Sequence, residues 1–257
     1  MPGELTLSVG TLYGFLLVLA RVAGVIAFVP LPGFSGAPAP ARAALALAFT
    51  LALSSQWPEI DAPQMTAAAL VAWALAESAA GLVIGLMVAL VLESFILAAQ
   101  VLGLQAGYAY ASTVDPNTQA DSGVLLVFAQ LIAGLLFFAM GLDREVLRLL
   151  AQSLGKIPPG AWVLRPASAE PLIRLGSELF ATGVRLALPV VALLVMVDVA
   201  LALVGRLNAQ LQLLSLAFPA KMLTALLVLS WLASLFPRVL GGFSAHGWTA
   251  ARRVLGL

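Results

Sequence analysis

The chain has 257 residues, 62% of them hydrophobic and 10% charged, with 13 basic and 12 acidic side chains, one histidine and no cysteine. A soluble domain carries roughly a quarter of its residues as charged ones, so these few groups cannot clothe a water-facing surface, and lipid or partner protein must cover most of the exterior. A net charge of +1 supplies no field for nucleic acid, and without cysteine there is no disulfide framework, thiol nucleophile or cysteine-ligated metal.

A helix needs roughly 20 apolar residues to cross a bilayer, and the apolar runs are measured against that length in chain order. Leu5–Pro30 is apolar apart from Arg21. Its first charge, Glu4, is acidic, so the run is not expected to be a cleaved signal peptide, which needs a basic leader. Pro30, Pro32, Gly33, Gly36, Pro38 and Pro40 form an irregular connection ended by Arg42, because proline lacks a donor and restricts its predecessor. Ala43–Trp57 is short for a span, and Trp57–Pro58 through Pro63 is an acidic connection.

Met65–Leu92 carries Glu77, and the uncharged run Ser94–Val114 follows Glu93. Asp115–Pro116–Asn117 is a turn signal, with Asp bonding onward backbone while Pro fixes φ. Ser122–Leu142 is uncharged, and 143–185 is the extended hydrophilic region. Leu186–Gly205 holds Asp198, and Leu211–Phe236 holds Lys221. Runs this long and continuous exclude a membrane barrel, whose strands are short and alternating. The expected fold is all-α: a polytopic membrane protein of long apolar helices and kinked hairpins. It divides into an N-terminal helical part (1–142), a hydrophilic loop (143–179), and a C-terminal hairpin with tail (180–257).

Basic residues set orientation. Arg144, Arg148, Lys156, Arg165, Arg174 and Arg185 lie in the hydrophilic region, Arg238, Arg252 and Arg253 in the tail, and Arg42 in the first connection. The connections 58–64 and 113–121 hold Glu59, Asp61, Asp115 and Asp121 and no basic residue. Seven alternating segments place the first set on the cytoplasmic side and the acidic connections on the other.

Enzymatic constellations are missing from the sequence. His246 has no second histidine for a zinc pair, and Gly242–Phe243–Ser244–Ala245–His246–Gly247 misses a nucleophile elbow by one residue and has no preceding strand. No cofactor is expected. Charges inside apolar runs are costly unless paired or hydrated, which singles out Arg21, Glu77, Glu93, Asp198, Arg206 and Lys221. Arg21, Glu77, Asp198 and Lys221 fit a lumen lining or proton relay equally with ion pairs between subunits, and Glu93 and Arg206, at segment ends, fit snorkelling. Gly10/Gly14, Gly81/Gly85 and Gly103/Gly107 repeat at four-residue spacing, the pattern that lets helix backbones approach. Gly103–Thr113 mixes glycine, Gln105, Tyr108 and Tyr110 before Asp115–Pro116. Irregular backbone at membrane depth must be covered by protein or line water, so this stretch reads as a constriction, or else as an interfacial aromatic belt. Asn208, Gln210 and Gln212 beside Arg206 form a second polar cluster.

These features resemble, in order, those of the FliR family. Arg21–Val22–Ala23–Gly24, Pro30, Gly33, Pro40 and Arg42 are similar to its first helix and loop. Glu77, Gly81 and Gly85 match a second motif, and Gly103, Gln105 and Gly107 leading to Asp115–Pro116 match its central signature. Ser153 to Pro158, Leu188–Pro189, Asp198 and Arg206 to Lys221 extend the resemblance over about residues 10–240. Two positions depart: Ala209 stands where the family has proline before Gln210, and Gly141–Leu142–Asp143 where it often has histidine. The resemblance implies a non-enzymatic gate subunit of a flagellar type III export apparatus in the bacterial inner membrane, at the flagellar basal body. Its partners would be FliP-like and FliQ-like subunits, an FlhB-like switch protein, a cytoplasmic ATPase apparatus and unfolded export substrates. The stretch Gln105–Asp121 would form the pore plug, and 180–240 a FliQ-like hairpin. The Gln210–Met222 region looks more like the flagellar branch than its injectisome counterpart. The alternative is a secondary transporter binding a coupling ion at Asp198, Glu77 and Arg21.

Overall fold

The computed structural model describes residues 8–29, 38–60, 66–107, 123–163, 169–207, 213–232 and 236–257. Among them every regular element is helical: α1 (Val9–Phe28), α2 (Ala39–Ala52) with a 3-10 turn (Ser54–Gln56), α3 (Ala67–Ala106), α4 (Gly123–Ala139), α5 (Leu142–Lys156), α6 (Ala169–Leu207), α7 (Leu213–Leu232) and α8 (Phe236–Leu255). Tyr108, Tyr110, Asp115, Pro116, Asn208, Gln210 and Gln212 lie outside the described residues.

Local chemistry explains the boundaries. The Ser8 hydroxyl caps α1 by accepting the Thr11 N–H at 3.1 Å, satisfying one of the orphan donors of the first turn. The helix stops at the residue pair before Pro30, as a following proline demands. Thr66 caps α3 by accepting from the Ala69 N–H at 3.2 Å. That helix ends at Gly107, whose φ of 85° is the left-handed turn that closes many helices. Glu170 lies in the first turn of α6 and Arg206 in its last, each sign complementing the helix dipole.

Val9–Phe28, Ala67–Ala106 and Glu170–Arg206 are long and apolar enough to cross a membrane, and the pair flanking Gly141 adds a fourth if it counts as one span. The protein is thus an all-α polytopic membrane protein. The described residues do not follow the seven alternating spans. The alternation needs a reversal at Glu93, yet α3 runs through it as one helix of 40 residues, about 60 Å long. Glu93 is exposed on that helix, and a single exposed carboxylate supplies no break. The side assignment from charge fails at that point. α2, at 14 residues, is about 21 Å long and short of the bilayer.

Nor is the hydrophilic stretch an irregular loop throughout. Its first part is α5, which buries Leu142, Val146, Leu149, Leu150 and Leu154 along one face at the spacing of an amphipathic helix. The tail is α8, which buries Leu240, Phe243, Ala251, Val254 and Leu255. Two compact units result, each discontinuous in sequence: Met1–Leu90 with Gly141–Leu175 and Ser244–Leu257, and Val91–Met140 with Gly176–Phe243. The first has a core drawn from Leu17, Val18 and Val22 of α1, Ile84 and Met87 of α3 and Leu150 of α5. The second centres on Leu92, Phe95 and Leu102 of α3, Phe137 of α4 and Leu194 of α6.

Candidate functional site

In the first unit, α1 presents Gly10, Gly14, Leu17, Arg21 and Val25 on its buried face, a recurrence at three and four residues that the helical period requires. Arg21 and Glu77 are almost wholly buried, at 1% and 0% exposure, and form an ion pair through the Arg21 Nε and Glu77 Oε2 atoms. The rest of the guanidinium is also spoken for: Nη1 donates to the Ser153 hydroxyl at 3.2 Å and Nη2 to the Ile157 carbonyl at 3.3 Å. The Ser153 hydroxyl itself donates a hydrogen bond to the Leu150 carbonyl at 2.8 Å. The second carboxylate oxygen, Glu77 Oε1, accepts the Gly160 backbone N–H at 2.8 Å. One buried pair therefore clamps the Ile157–Gly160 backbone at both ends. A buried charge is tolerable when each of its groups is satisfied in this way.

Close helix contact makes the pair possible. A Cβ on Gly81 would fall 2.0 Å from the Arg21 carbonyl oxygen, one on Gly24 2.4 Å from that of Ser78, and one on Gly85 2.5 Å from that of Val25. Backbone thus meets backbone along the α1–α3 crossing, and only glycine leaves room. Gly160 must be glycine for two reasons: its φ is +93°, and a Cβ would lie 2.7 Å from the Trp73 ring. Gly10 and Gly14 pack differently from the helix-against-helix contact their spacing suggests. They meet the carbonyls of Ile60 and Pro58 in the extended segment after the 3-10 turn. Trp57 fixes that segment, its indole N–H donating to the Thr50 carbonyl at 3.0 Å and its ring meeting Phe15 edge-on at 5.1 Å.

The second unit holds a separate tie. The Lys221 ammonium of α7 lies 2.9 Å and 3.0 Å from the two Asp198 oxygens of α6. Gln105, the penultimate residue of α3, donates its amide to Asp198 Oδ2 at 3.2 Å. Three helices thus meet at one carboxylate. The Asp198 side chain is 42% exposed and Lys221 14%, so the chain encloses this pair far less than it encloses Arg21–Glu77. Gly183 of α6 packs on Leu97 and the Ser94 carbonyl of α3, 2.9 Å from where a Cβ would sit.

The candidate residues accordingly fall into two groups, Arg21, Glu77, Gly81 and Gly85 in the first unit and Gln105, Asp198 and Lys221 in the second. Arg206 is exposed in the last turn of α6. Gly103 is half-buried within α3, and Gly107 lies just past its end rather than on a packing face. Gly160 and Trp73 carry no sequence signal of their role, since one contributes a backbone N–H and the other a ring face. Ser244 is buried within α8, so no strand-to-helix elbow forms there. Among the described residues no cluster of three or more His, Cys, Asp or Glu could hold a metal ion.

The chain is also similar to known proteins. The chain is 29% identical over 222 residues to the flagellar biosynthetic protein FliR of Escherichia coli K12, covering 86% of this chain and 83% of that one. It is 30% identical to FliR of Pectobacterium carotovorum over 157 residues, 61% of this chain and 60% of that one. FliR of Caulobacter vibrioides is 25% identical over 215 residues, 83% of this chain and 86% of its own. The family model for bacterial export proteins, family 1, matches residues 12–246, and the chain belongs to that family.

Proposed function

We propose that this chain, a membrane subunit of the flagellar export apparatus by its family, is a non-enzymatic gate component. It assembles with FliP-like and FliQ-like subunits in the bacterial inner membrane and contacts an FlhB-like switch protein. Unfolded flagellar proteins pass through the assembly, energised by other components. The observation that carries assembly is the exposed apolar surface of α6. Ile173, Phe180, Leu188, Met196 and Leu203 are all more than half exposed, and exposure continues to Val204. Residues 173 to 204 cover about 46 Å of helix, well beyond the roughly 30 Å hydrocarbon thickness. Lipid tails alone do not cover a surface of that length, which supports its burial against neighbouring protein.

The gate sits, in this reading, in the stretch from Gln105 to Asp121, with Gly107, Tyr108, Tyr110, Asp115 and Pro116 forming the resting seal. Its near end is held by the Gln105–Asp198–Lys221 tie. The transporter reading needs Arg21, Glu77 and Asp198 to serve one bound ion. Arg21 and Glu77 instead satisfy each other in one unit while Asp198 pairs with Lys221 in the other, which favours structural ties. Shortening the stretch Tyr108–Pro116 tests the seal. Ion leak through the assembled complex in native membranes is expected to rise several-fold without loss of the complex. Leak equal to wild type in an intact complex would remove the plug from the account.

A further inference from the structure

The last acidic residue of the chain is Asp198; beyond it come Arg206, Lys221, Arg238, Arg252 and Arg253 with no carboxylate side chain. Lys221 neutralises Asp198, and the last three arginines all lie on α8. That helix buries Leu240, Phe243, Gly247, Ala251 and Val254, the three- and four-residue spacing of an inward face. Its opposite face exposes Arg238, Gly242, Ala245, Thr249, Arg252 and Arg253. Between the arginines the stripe carries Gly242, Ala245 and Thr249, with Val239 and His246 exposed along its flank, so a flat surface could approach it. α5 makes the contrast: its exposed Arg148 pairs with Glu145 of its own helix at 2.6 Å, whereas α8 contains no acidic residue with which to neutralise itself.

We propose that the outer face of α8 lies on anionic phospholipid headgroups of the membrane in which the chain is embedded. Charge complementarity selects this occupant. A cluster of arginines beside membrane-spanning helices meets a negative surface potential that decays within a Debye length. The apolar face of α8 is spent on the protein's own core, so the helix does not sink into acyl chains; it meets the headgroups with its arginines alone. The inference rests on the membrane character of the chain and stands apart from any gate role.

The absence of cysteine makes a direct test available. Thr249→Cys in the full chain places one environment-sensitive fluorophore on the exposed stripe. The labelled protein is reconstituted in bilayers of phosphatidylcholine alone, or with phosphatidylglycerol added, and quenched with neutral acrylamide. Quenching is expected to be several-fold weaker with phosphatidylglycerol. High salt should erase the difference, because screening shortens the field. Combined Arg238→Gln, Arg252→Gln and Arg253→Gln should also erase it, and lysine at the three positions should retain it. The lipid and salt comparisons need no arginine substitution, so they hold even if the triple variant fails to fold. Equal, strong quenching in both bilayers would overturn the proposal. So would equal, salt-insensitive protection in both, which would mean that protein covers the stripe.

Discussion

Glu77→Ala is expected to cost about 3–5 kcal/mol, the usual penalty for stranding one partner of a buried pair. Arg21 would be left at 1% exposure with its charge uncompensated, and the Gly160 N–H would lose its acceptor. Against a net stability of about 5–15 kcal/mol, that is a large share of the margin. Glu77→Gln should cost less, since its amide oxygen can still accept from Gly160. Arg21→Met combined with Glu77→Met should recover part of the loss, because both desolvation costs disappear together. Lys221→Met gives the comparison: Asp198 is only partly enclosed by the chain and keeps the Gln105 amide, so the loss should be smaller than for Glu77→Ala. The check is the fraction of monodisperse protein surviving a heating series in detergent. A Glu77→Ala protein that melts with wild type would show that the buried pair holds nothing together.

Gly81→Ala is the second large effect. A methyl group there would need the space already filled by the Arg21 carbonyl, 2.0 Å away, and backbone cannot turn aside as a side chain can. α1 and α3 must separate, which loosens packing on both sides and lengthens the Arg21–Glu77 contact. Overpacking of a tight interior typically costs about 1–3 kcal/mol; with the ion pair strained as well, Gly81→Ala should reach the upper end and Gly81→Leu should abolish accumulation. Gly176→Ala is the control. It meets no atom within 4 Å and lies within α6, so it should stabilise by about 0.5–1 kcal/mol through helix propensity. The same heating series reads both. Equal melting of the two variants would mean that the crossing is looser than the backbone contacts require.

How far the sequence carried these conclusions follows from what each feature depends on. Apolar runs report directly on helices, and α1 at Val9–Phe28 falls inside the run Leu5–Pro30. Composition misleads where a helix is amphipathic. Residues 143–156 read as hydrophilic because Arg144, Arg148 and Lys156 face outward, although Leu142, Val146, Leu149, Leu150 and Leu154 already mark the buried stripe. Glu93 misleads in the opposite direction: a charge inside an apolar run resembles a boundary, yet helix continuity is broken by proline or glycine geometry and not by a carboxylate. Pairing is a property of topology. Arg21 and Glu77 stand 56 positions apart, and nothing local tells Arg21 to choose Glu77 over Asp198. The glycines at Gly24, Gly81 and Gly85 were the available hint, because close backbones beside two buried charges bring those charges within reach. Gly103/Gly107 shows the limit of that hint, since the same spacing at a helix end yields a left-handed cap at Gly107. The Ile157 carbonyl and Gly160 N–H are backbone groups, which every residue possesses and no motif distinguishes.

The central claim is that this chain works as one subunit of a larger gate, its long apolar helices completed by other proteins. The most direct measurement is recovery of the tagged chain from its native cells in mild detergent, with the associated proteins identified and counted by mass spectrometry. FliP-like and FliQ-like proteins in fixed ratio to the chain are the expected result. A clean monomer or homodimer, with those partners expressed in the same cells yet absent from the preparation, would contradict it.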